Sequence, residues 1–182
     1  AHPELAESFD YVLYKGKSTK ETFIALGIEQ IDIVTRLTKK KQSLYREMIE
    51  NGEVVAFPSA LEFLSDLKAT GRRICLVTGA SRRSAESSLT KLGMIQYFEG
   101  LVTGDEIERT KPAPDLYLKC LSEYKINPSD ALVIEDSLLG VQAAQAAGLS
   151  VMAVNDSEMS PFPEFVGTLK DLHSAWLQNK ND

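Results

Sequence analysis

The sequence of 182 residues is poor in cysteine and has no long apolar run. Its two cysteines, Cys75 and Cys120, lie far apart and have neither metal-site spacing nor a disulfide framework. We therefore expect two buried thiols in a reducing, cytoplasmic compartment. No stretch reaches the roughly 18 apolar residues of a membrane span, and the polar opening at Ala1 is unlike a signal peptide. The composition thus favours neither a membrane protein nor a disulfide-stapled secreted domain.

Clusters of basic residues are also absent from the sequence. The chain has 20 lysines and arginines against 26 acidic residues, a formal net charge of −6. The basic residues are scattered along the chain, so no electrostatic footprint for DNA or RNA is visible and we expect no nucleic-acid partner. With 43% hydrophobic residues, the length suits one globular core with a small appended subdomain.

The first third of the chain has the apolar spacing of helices. Apolar residues recur at helical intervals over residues 5–13, and Ser18 or Thr19 can begin a second helix. A third helix is predicted to end at Asn51-Gly52, a common helix stop.

From residue 58 onward, helices and short apolar segments alternate. The predicted strands are 74–77, 100–103, 132–134 and 150–154, and the predicted helices include 84–92, 114–123, 138–147 and 169–177. This alternation predicts an α/β fold with a doubly wound parallel sheet and helices on both faces. We predict an α/β core over residues 53–182 and a small α-helical cap over residues 1–52.

Three polar groups each follow a predicted strand, at the edge where open α/β sheets bind ligands. In the first, residues 77–81 (Val-Thr-Gly-Ala-Ser), Thr78 and Gly79 offer a hydroxyl and backbone N–H groups to an oxyanion. The same residues suit an ordinary strand-to-helix turn. The run also resembles the opening of short-chain dehydrogenases, but that fingerprint requires further glycines where this chain has Arg83 and Ala85.

The second and third groups are charged. Lys111 precedes Pro112 and Pro114, which stiffen the loop and open a helix, so its ammonium suits a site where negative charge gathers. Glu135 and Asp136 directly follow an apolar strand, where adjacent acids repel each other unless a cation lies nearby. Each group alone also fits a solvated surface loop.

In this order, Thr78, Lys111 in a Lys-Pro-x-Pro context, and Glu135-Asp136-Ser-x-x-Gly resemble motifs two, three and four of the haloacid dehalogenase superfamily. The resemblance covers essentially the whole chain. It is closest to the subgroup with a helical cap, which includes β-phosphoglucomutase, phosphoglycolate phosphatase and sugar-phosphate phosphatases. In that subgroup, Gly16-Lys17-Ser18 resembles the Gly-x-Ser turn of the cap, and Phe57-Pro58 resembles the return from cap to core.

The resemblance implies a Mg²⁺-dependent phosphatase that acts on a small phosphorylated metabolite through an aspartyl-phosphate. Thr78 and the Gly79 N–H would bind the phosphoryl group, and Lys111 would neutralise charge on that group and on the nucleophile. Asp136 would bind Mg²⁺ directly, and Glu135 directly or through water, since this ion prefers oxygen ligands. Such a site works by positioning and electrostatic stabilisation.

The sequence departs from the family's motifs at the nucleophile. In the family, two aspartates separated by one residue follow an N-terminal strand, and no Asp-x-Asp occurs in this sequence. We interpret Asp10 as an ordinary helix residue and expect the missing segment upstream of Ala1 in a longer protein. The chain as given is expected to be inactive. Without that strand, neighbouring strand edges should be unpaired and part of the core exposed.

Two other functions stay open at this point. A phosphomutase differs only in passing the phosphoryl group to a second sugar hydroxyl instead of water. A non-catalytic relative could keep the fold as a binding module. Neither the substrate nor the oligomeric state follows from the motifs.

Overall fold

The computed structural model of the protein describes residues 14–179. Two helices come first, α1 (Thr19–Ala25) and α2 (Ile31–Glu50). The α/β part follows as α3 (Ala60–Ala69), β1 (Cys75–Thr78), α4 (Arg82–Lys91), β2 (Gly100–Thr103), α5 (Asp115–Glu123), β3 (Leu132–Glu135), α6 (Leu138–Ala146), β4 (Ser150–Ala153) and α7 (Leu169–Asn179). None of the helices in this part of the chain is long and apolar enough to cross a membrane. The helix predicted over residues 5–13, with Asp10, lies outside the described residues.

Local sequence signals account for the ends of the first two helices. Ser18 caps α1: its side chain accepts a hydrogen bond from the Glu21 N–H at 3.2 Å, and the Glu21 carboxylate accepts one from the Ser18 N–H at 3.2 Å. Helix α2 ends at Asn51, and Gly52 then adopts a φ of 76°, which a residue without Cβ reaches without strain. Both features confirm the sequence predictions.

The four strands are parallel and form two separate pairs. Strand β1 pairs with β2, with Val77 opposite Val102, and β3 pairs with β4, with Ile134 opposite Met152. The α/β fold and its parallel strand pairing are therefore confirmed. Within residues 14–179, no strand lies between the two pairs, so the second edges of β1 and β3 are unpaired as the sequence predicts.

Helices cover both faces of the β1–β2 pair. Leu76 and Leu101 point to the side where α3 and α4 pack, in a cluster with Ala85 and Leu89. Val102 points to the other side, against α5, and is fully buried. This pair has the doubly wound arrangement that the alternating sequence predicts.

Among residues 14–179, the β3–β4 pair is covered on one face only. Val133 packs with Tyr117 of α5 and with the small residues of α6, and Val77 of β1 joins the same cluster. This shared cluster holds the two pairs together on the side of α5 and α6. On the opposite face, Leu132 is 54% exposed and Ile134 is 38% exposed.

The two cysteines are free thiols in one apolar cluster near α5. Cys120 is buried, as predicted, whereas Cys75 is only partly buried.

Candidate active site

The carboxyl ends of β1 and β3 bring the predicted site residues to one edge of the structure. Thr78 is the last residue of β1, and Glu135 is the last residue of β3. The Lys111 ammonium joins them, because its Nζ donates to the carbonyl oxygen of Val77 at 3.4 Å and forms an ion pair with Glu135. The loops that follow two separate strand pairs thus contribute to one site.

The loop after β1 lies in close contact with the turn before α1. The Thr78 Oγ1 accepts a hydrogen bond from the Ala80 N–H at 3.1 Å. A Cβ on Gly79 would lie 2.9 Å from the carbonyl oxygen of Gly16, too close for any side chain. A Cβ on Gly104, after β2, would likewise lie 2.3 Å from the Gly79 oxygen. Glycine is required at both positions because three backbone segments meet here.

A buried network surrounds the Glu135 carboxylate. Lys111 and Glu135 are 5% and 7% exposed and form an ion pair, and the Tyr117 hydroxyl donates to Glu135 Oε1 at 2.6 Å. The Ser137 hydroxyl donates to the other carboxylate oxygen at 3.1 Å. A Cβ on Gly140 would lie 2.1 Å from that carboxyl group, so helix α6 can approach it only with glycine there. Buried charges persist when they are paired and hydrogen-bonded in this way.

Tyr117 acts as a hydrogen-bond donor in this network. Burial, and then the negative charge of Glu135, raise the pKa of the Tyr117 hydroxyl well above its ordinary value. The phenol therefore keeps its proton and donates a hydrogen bond to the carboxylate. Its ring also lies beneath the Lys111 ammonium, with 5.1 Å between Nζ and the ring centre.

The Asp136 carboxylate shares a cation with a second aspartate. The Lys15 Nζ lies 3.4 Å from Asp136 Oδ2 and 3.3 Å from Oδ2 of Asp156, which follows β4. Burial opposes the charge on Lys15, but the two carboxylates together raise the pKa of its ammonium. Two carboxylates from neighbouring strand ends therefore converge on one positive charge.

This pair of carboxylates fits a divalent cation in part. Oxygen donors from Asp136 and Asp156 are the type that Mg²⁺ prefers, and they already hold one cation between them. The Glu135 carboxylate is instead occupied by Lys111, Tyr117 and Ser137. Within residues 14–179, no group of three or more acidic, histidine or cysteine side chains is placed to hold a metal ion. The metal-binding roles of Glu135 and Asp136 stay predictions.

The capping box of α1 also binds the loop before Lys111. The Ser18 N–H donates to Thr110 Oγ1 at 3.3 Å, and the Thr110 N–H donates to Glu21 Oε1 at 3.1 Å. The predicted Gly-x-Ser turn is therefore hydrogen-bonded directly to the segment that carries Lys111.

The sequence predicts Thr78, Gly79, Lys111, Glu135 and Asp136 as site residues, and these assignments stay predictions. It did not predict the side chains that contact them in the structure. Asp156 had a usable signal, since it follows the strand β4 as Asp136 follows β3. Lys15 and Tyr117 had none, because only the folded chain brings them to these carboxylates.

Comparison with known proteins shows the family of this chain. The sequence matches the family described as haloacid dehalogenase-like hydrolase over residues 3–154, most of its length. The chain belongs to this family.

Protein CbbY of Rhodobacter capsulatus is 35% identical over 153 residues, which is 80% of this chain and 66% of CbbY. Fructose-1-phosphate phosphatase YqaB of Escherichia coli is 40% identical over 85 residues, which is 46% of this chain and 45% of YqaB. The chain thus spans only part of these curated relatives. The crystal structure of β-phosphoglucomutase from Clostridium difficile superposes with a TM-score of 0.81 at 22% identity, covering 97% of this chain and 86% of that one. This likeness supports the same fold.

Proposed function

We propose that this chain is part of a Mg²⁺-dependent phosphatase that hydrolyses a small phosphorylated metabolite through an aspartyl-phosphate in the complete protein. The main support is the position of Lys111, whose ammonium is anchored between Val77 of β1 and Glu135 of β3. A fixed positive charge at this strand edge suits a site that gathers a phosphoryl group and a carboxylate nucleophile.

Each residue then has a role that its contacts allow. The Thr78 hydroxyl and the Gly79 N–H would bind the transferring phosphoryl group, and Lys111 would offset its negative charge. Glu135, held by Tyr117 and Ser137, would fix the position of the Lys111 ammonium. Asp136, with Asp156 beside it, would hold Mg²⁺, which when bound would withdraw charge from the phosphoryl oxygens.

The covalent step requires a residue that the sequence does not contain. An aspartate oxygen in the complete protein would attack phosphorus, the bond to the leaving alcohol would break, and water would then hydrolyse the aspartyl-phosphate. The name of the relative YqaB, fructose-1-phosphate phosphatase, supports a phosphorylated sugar as substrate. The division at residues 52 and 53 and the cytoplasmic location stay predictions.

A non-catalytic binding module is the second candidate. It is favoured by the Lys15 ammonium, which lies between Asp136 and Asp156 where the proposed Mg²⁺ would bind. A phosphomutase is a third candidate that uses the same residues with a different acceptor.

A screen of phosphorylated sugars against the complete protein separates these functions. The phosphatase predicts release of inorganic phosphate that requires Mg²⁺ and falls in Thr78→Val. Conversion of a sugar phosphate into an isomer without phosphate release would identify a mutase. Binding of sugar phosphates with neither outcome would support the module and overturn the enzyme.

A further inference from the structure

The two cysteines lie in the same layer of the structure, between the β1–β2 pair and α5. Cys75 is the first residue of β1, and Cys120 lies in α5. Cys75 and Val77 point to the side of the pair that α5 covers, and they pack there against the cluster that contains Val102 and Cys120. Two thiols that are far apart in the sequence therefore share one apolar cluster, and the proposed phosphatase site uses neither of them.

Contacts beside the cysteines hold their two segments together. Tyr124 stands one turn after Cys120, and its N–H donates to the Cys120 carbonyl oxygen at 3.1 Å. The Tyr124 ring lies over Gly100, the residue paired with Cys75, and a Cβ on Gly100 would overlap that ring. The Arg73 guanidinium, two residues before Cys75, donates to the carbonyl oxygen of Tyr124 at 2.8 Å. The end of α5 is thus fixed against the start of β1.

The two thiols differ in acidity and in exposure. A hydrogen bond from the Cys120 thiol lowers the pKa of Cys75, with a smaller contribution from the charge of Arg73. The same hydrogen bond, together with burial, raises the pKa of Cys120. Cys75 is also partly exposed, whereas Cys120 is buried. Because the thiolate is the reactive form of cysteine, an oxidant from solvent should react at Cys75 first.

We propose that Cys75 and Cys120 are an oxidant-sensitive pair that reacts with a hydroperoxide and closes a reversible disulfide between β1 and α5. The inference is independent of the proposed function, because neither thiol has a role in phosphoryl transfer.

The reaction consumes one molecule of hydroperoxide. The Cys75 thiolate attacks one oxygen of hydrogen peroxide, the O–O bond breaks, and hydroxide leaves and takes up the proton that Cys75 released. Cys75 is then a sulfenic acid. The Cys120 sulfur attacks the Cys75 sulfur, the S–O bond breaks, and the Cys120 proton leaves with the hydroxyl group as water. The two thiols lose two electrons, which the peroxide takes up, and an excess of a dithiol reductant reverses the oxidation.

The disulfide would join two elements that meet at the buried ion pair. Val77 of β1 accepts a hydrogen bond from the Lys111 ammonium at 3.4 Å. Tyr117, one turn before Cys120 in α5, donates to Glu135 at 2.6 Å. A covalent link also restricts the unfolded chain, so oxidation should raise the urea concentration at the midpoint of unfolding.

Oxidation of the 182-residue chain with hydrogen peroxide, followed by peptide mass spectrometry, tests the proposal. The expected product is an intramolecular disulfide between Cys75 and Cys120, and dithiothreitol should restore both thiols. Cys120→Ala should instead accumulate a sulfenic acid at Cys75. Labelling by dimedone should be at least about tenfold stronger in this variant than in the unsubstituted chain, where the neighbouring thiol consumes the sulfenic acid.

Two further variants make the result specific. Cys75→Ala should leave Cys120 unmodified at the same peroxide concentration, because Cys120 is buried. Cys120→Ala combined with Ser122→Cys moves the thiol to an exposed position of α5, about 200° around the helix, and should form no intramolecular disulfide.

Any of four outcomes would overturn the proposal: no disulfide, disulfides only between two chains, dimedone labelling of Cys120, or an intramolecular disulfide in the Ser122→Cys variant. A lower urea midpoint after oxidation would also contradict it, because the fold would then not accommodate the bond. The product formed by the unsubstituted chain decides the question even if a variant at the buried Cys120 fails to fold.

Discussion

The β1–β2 and β3–β4 pairs have strands of the same length and the same parallel pairing, yet their surroundings differ. Helices cover both faces of the first pair, and β2 is buried along its whole length. In the part of the chain that the structure describes, the second pair is covered on one face, and Leu132 and Ile134 are exposed on the other. The first pair carries Thr78 and the second carries the acids. A working site therefore depends on contacts that hold the well-packed β1–β2 half of the α/β core against the partly open β3–β4 half.

The largest effect is expected from a change that joins the two strand pairs into one sheet. An apolar strand that ends in Asp-x-Asp can be added before Ala1. This strand should pair with the free edges of β1 and β3, and its aspartate should supply the nucleophile. We expect no turnover of an aryl phosphate by the 182-residue chain and clear turnover by the extended protein. Release of phosphate, followed with Mg²⁺ present, is the measurement.

Two controls make the result specific. The same added strand ending in Asn-x-Asn should fold alike without turnover, and Lys111→Ala in the active version should suppress hydrolysis. Appreciable turnover by the chain as given would mean that Asp10 or another acid is the nucleophile, and the site would have been misread.

Lys111 is the side chain that connects the two pairs most directly, so its loss should destabilise the fold. Lys111→Met leaves Glu135 buried without its cation, and breaking one partner of a buried pair costs about 3–5 kcal/mol. The further substitution Glu135→Gln removes the unpaired negative charge. The double variant should therefore recover a large part of the lost free energy of unfolding. Urea unfolding of the three proteins provides the free energies. A double variant no more stable than Lys111→Met would show that the ion pair does not hold the halves together.

The elements of both halves could be predicted from the sequence because their signals are local. Apolar runs bounded by polar loops gave all four strands within one or two residues, as for 100–103, and Ser18 and Asn51 marked helix ends. The sequence also predicted unpaired strand edges and a partly exposed core, but not that one strand pair would be less covered than the other. Which residues would be exposed, Leu132 and Ile134, did not follow.

The site was predictable only to the level of its motif residues. Thr78 and Glu135 end strands and Lys111 lies in the loop region between β2 and α5, in a recognisable order. Their partners come from distant positions, with Tyr117 meeting Glu135 and Lys15 meeting Asp136 only in the folded chain.

The difference in burial between the two strand pairs can be measured with a Leu→Ala substitution in each pair. Leu101 of β2 is 9% exposed and Leu132 of β3 is 54% exposed. Leu101→Ala should cost about 2–4 kcal/mol through lost burial and a cavity. Leu132→Ala should cost about 1 kcal/mol or less because half of its surface is already in water. Equal losses in denaturant unfolding would show that the second pair is covered as well as the first.

The smallest expected effect is a change in Mg²⁺ affinity at Asp136 and Asp156, the two acids of the β3–β4 half. Because the Lys15 ammonium already lies between Asp136 and Asp156, a divalent cation must displace it to bind both carboxylates. Asp136→Asn removes a ligand and should weaken Mg²⁺ binding about tenfold or more, whereas Lys15→Met removes the competitor and should strengthen it by a few fold. Calorimetric titration with Mg²⁺ measures both, and Lys20→Met, at an exposed lysine on α1, is the matched control. Unchanged affinity in Asp136→Asn would remove that residue's metal role. Weaker binding in Lys15→Met would mean that Lys15 positions the two carboxylates for the ion instead of competing with it.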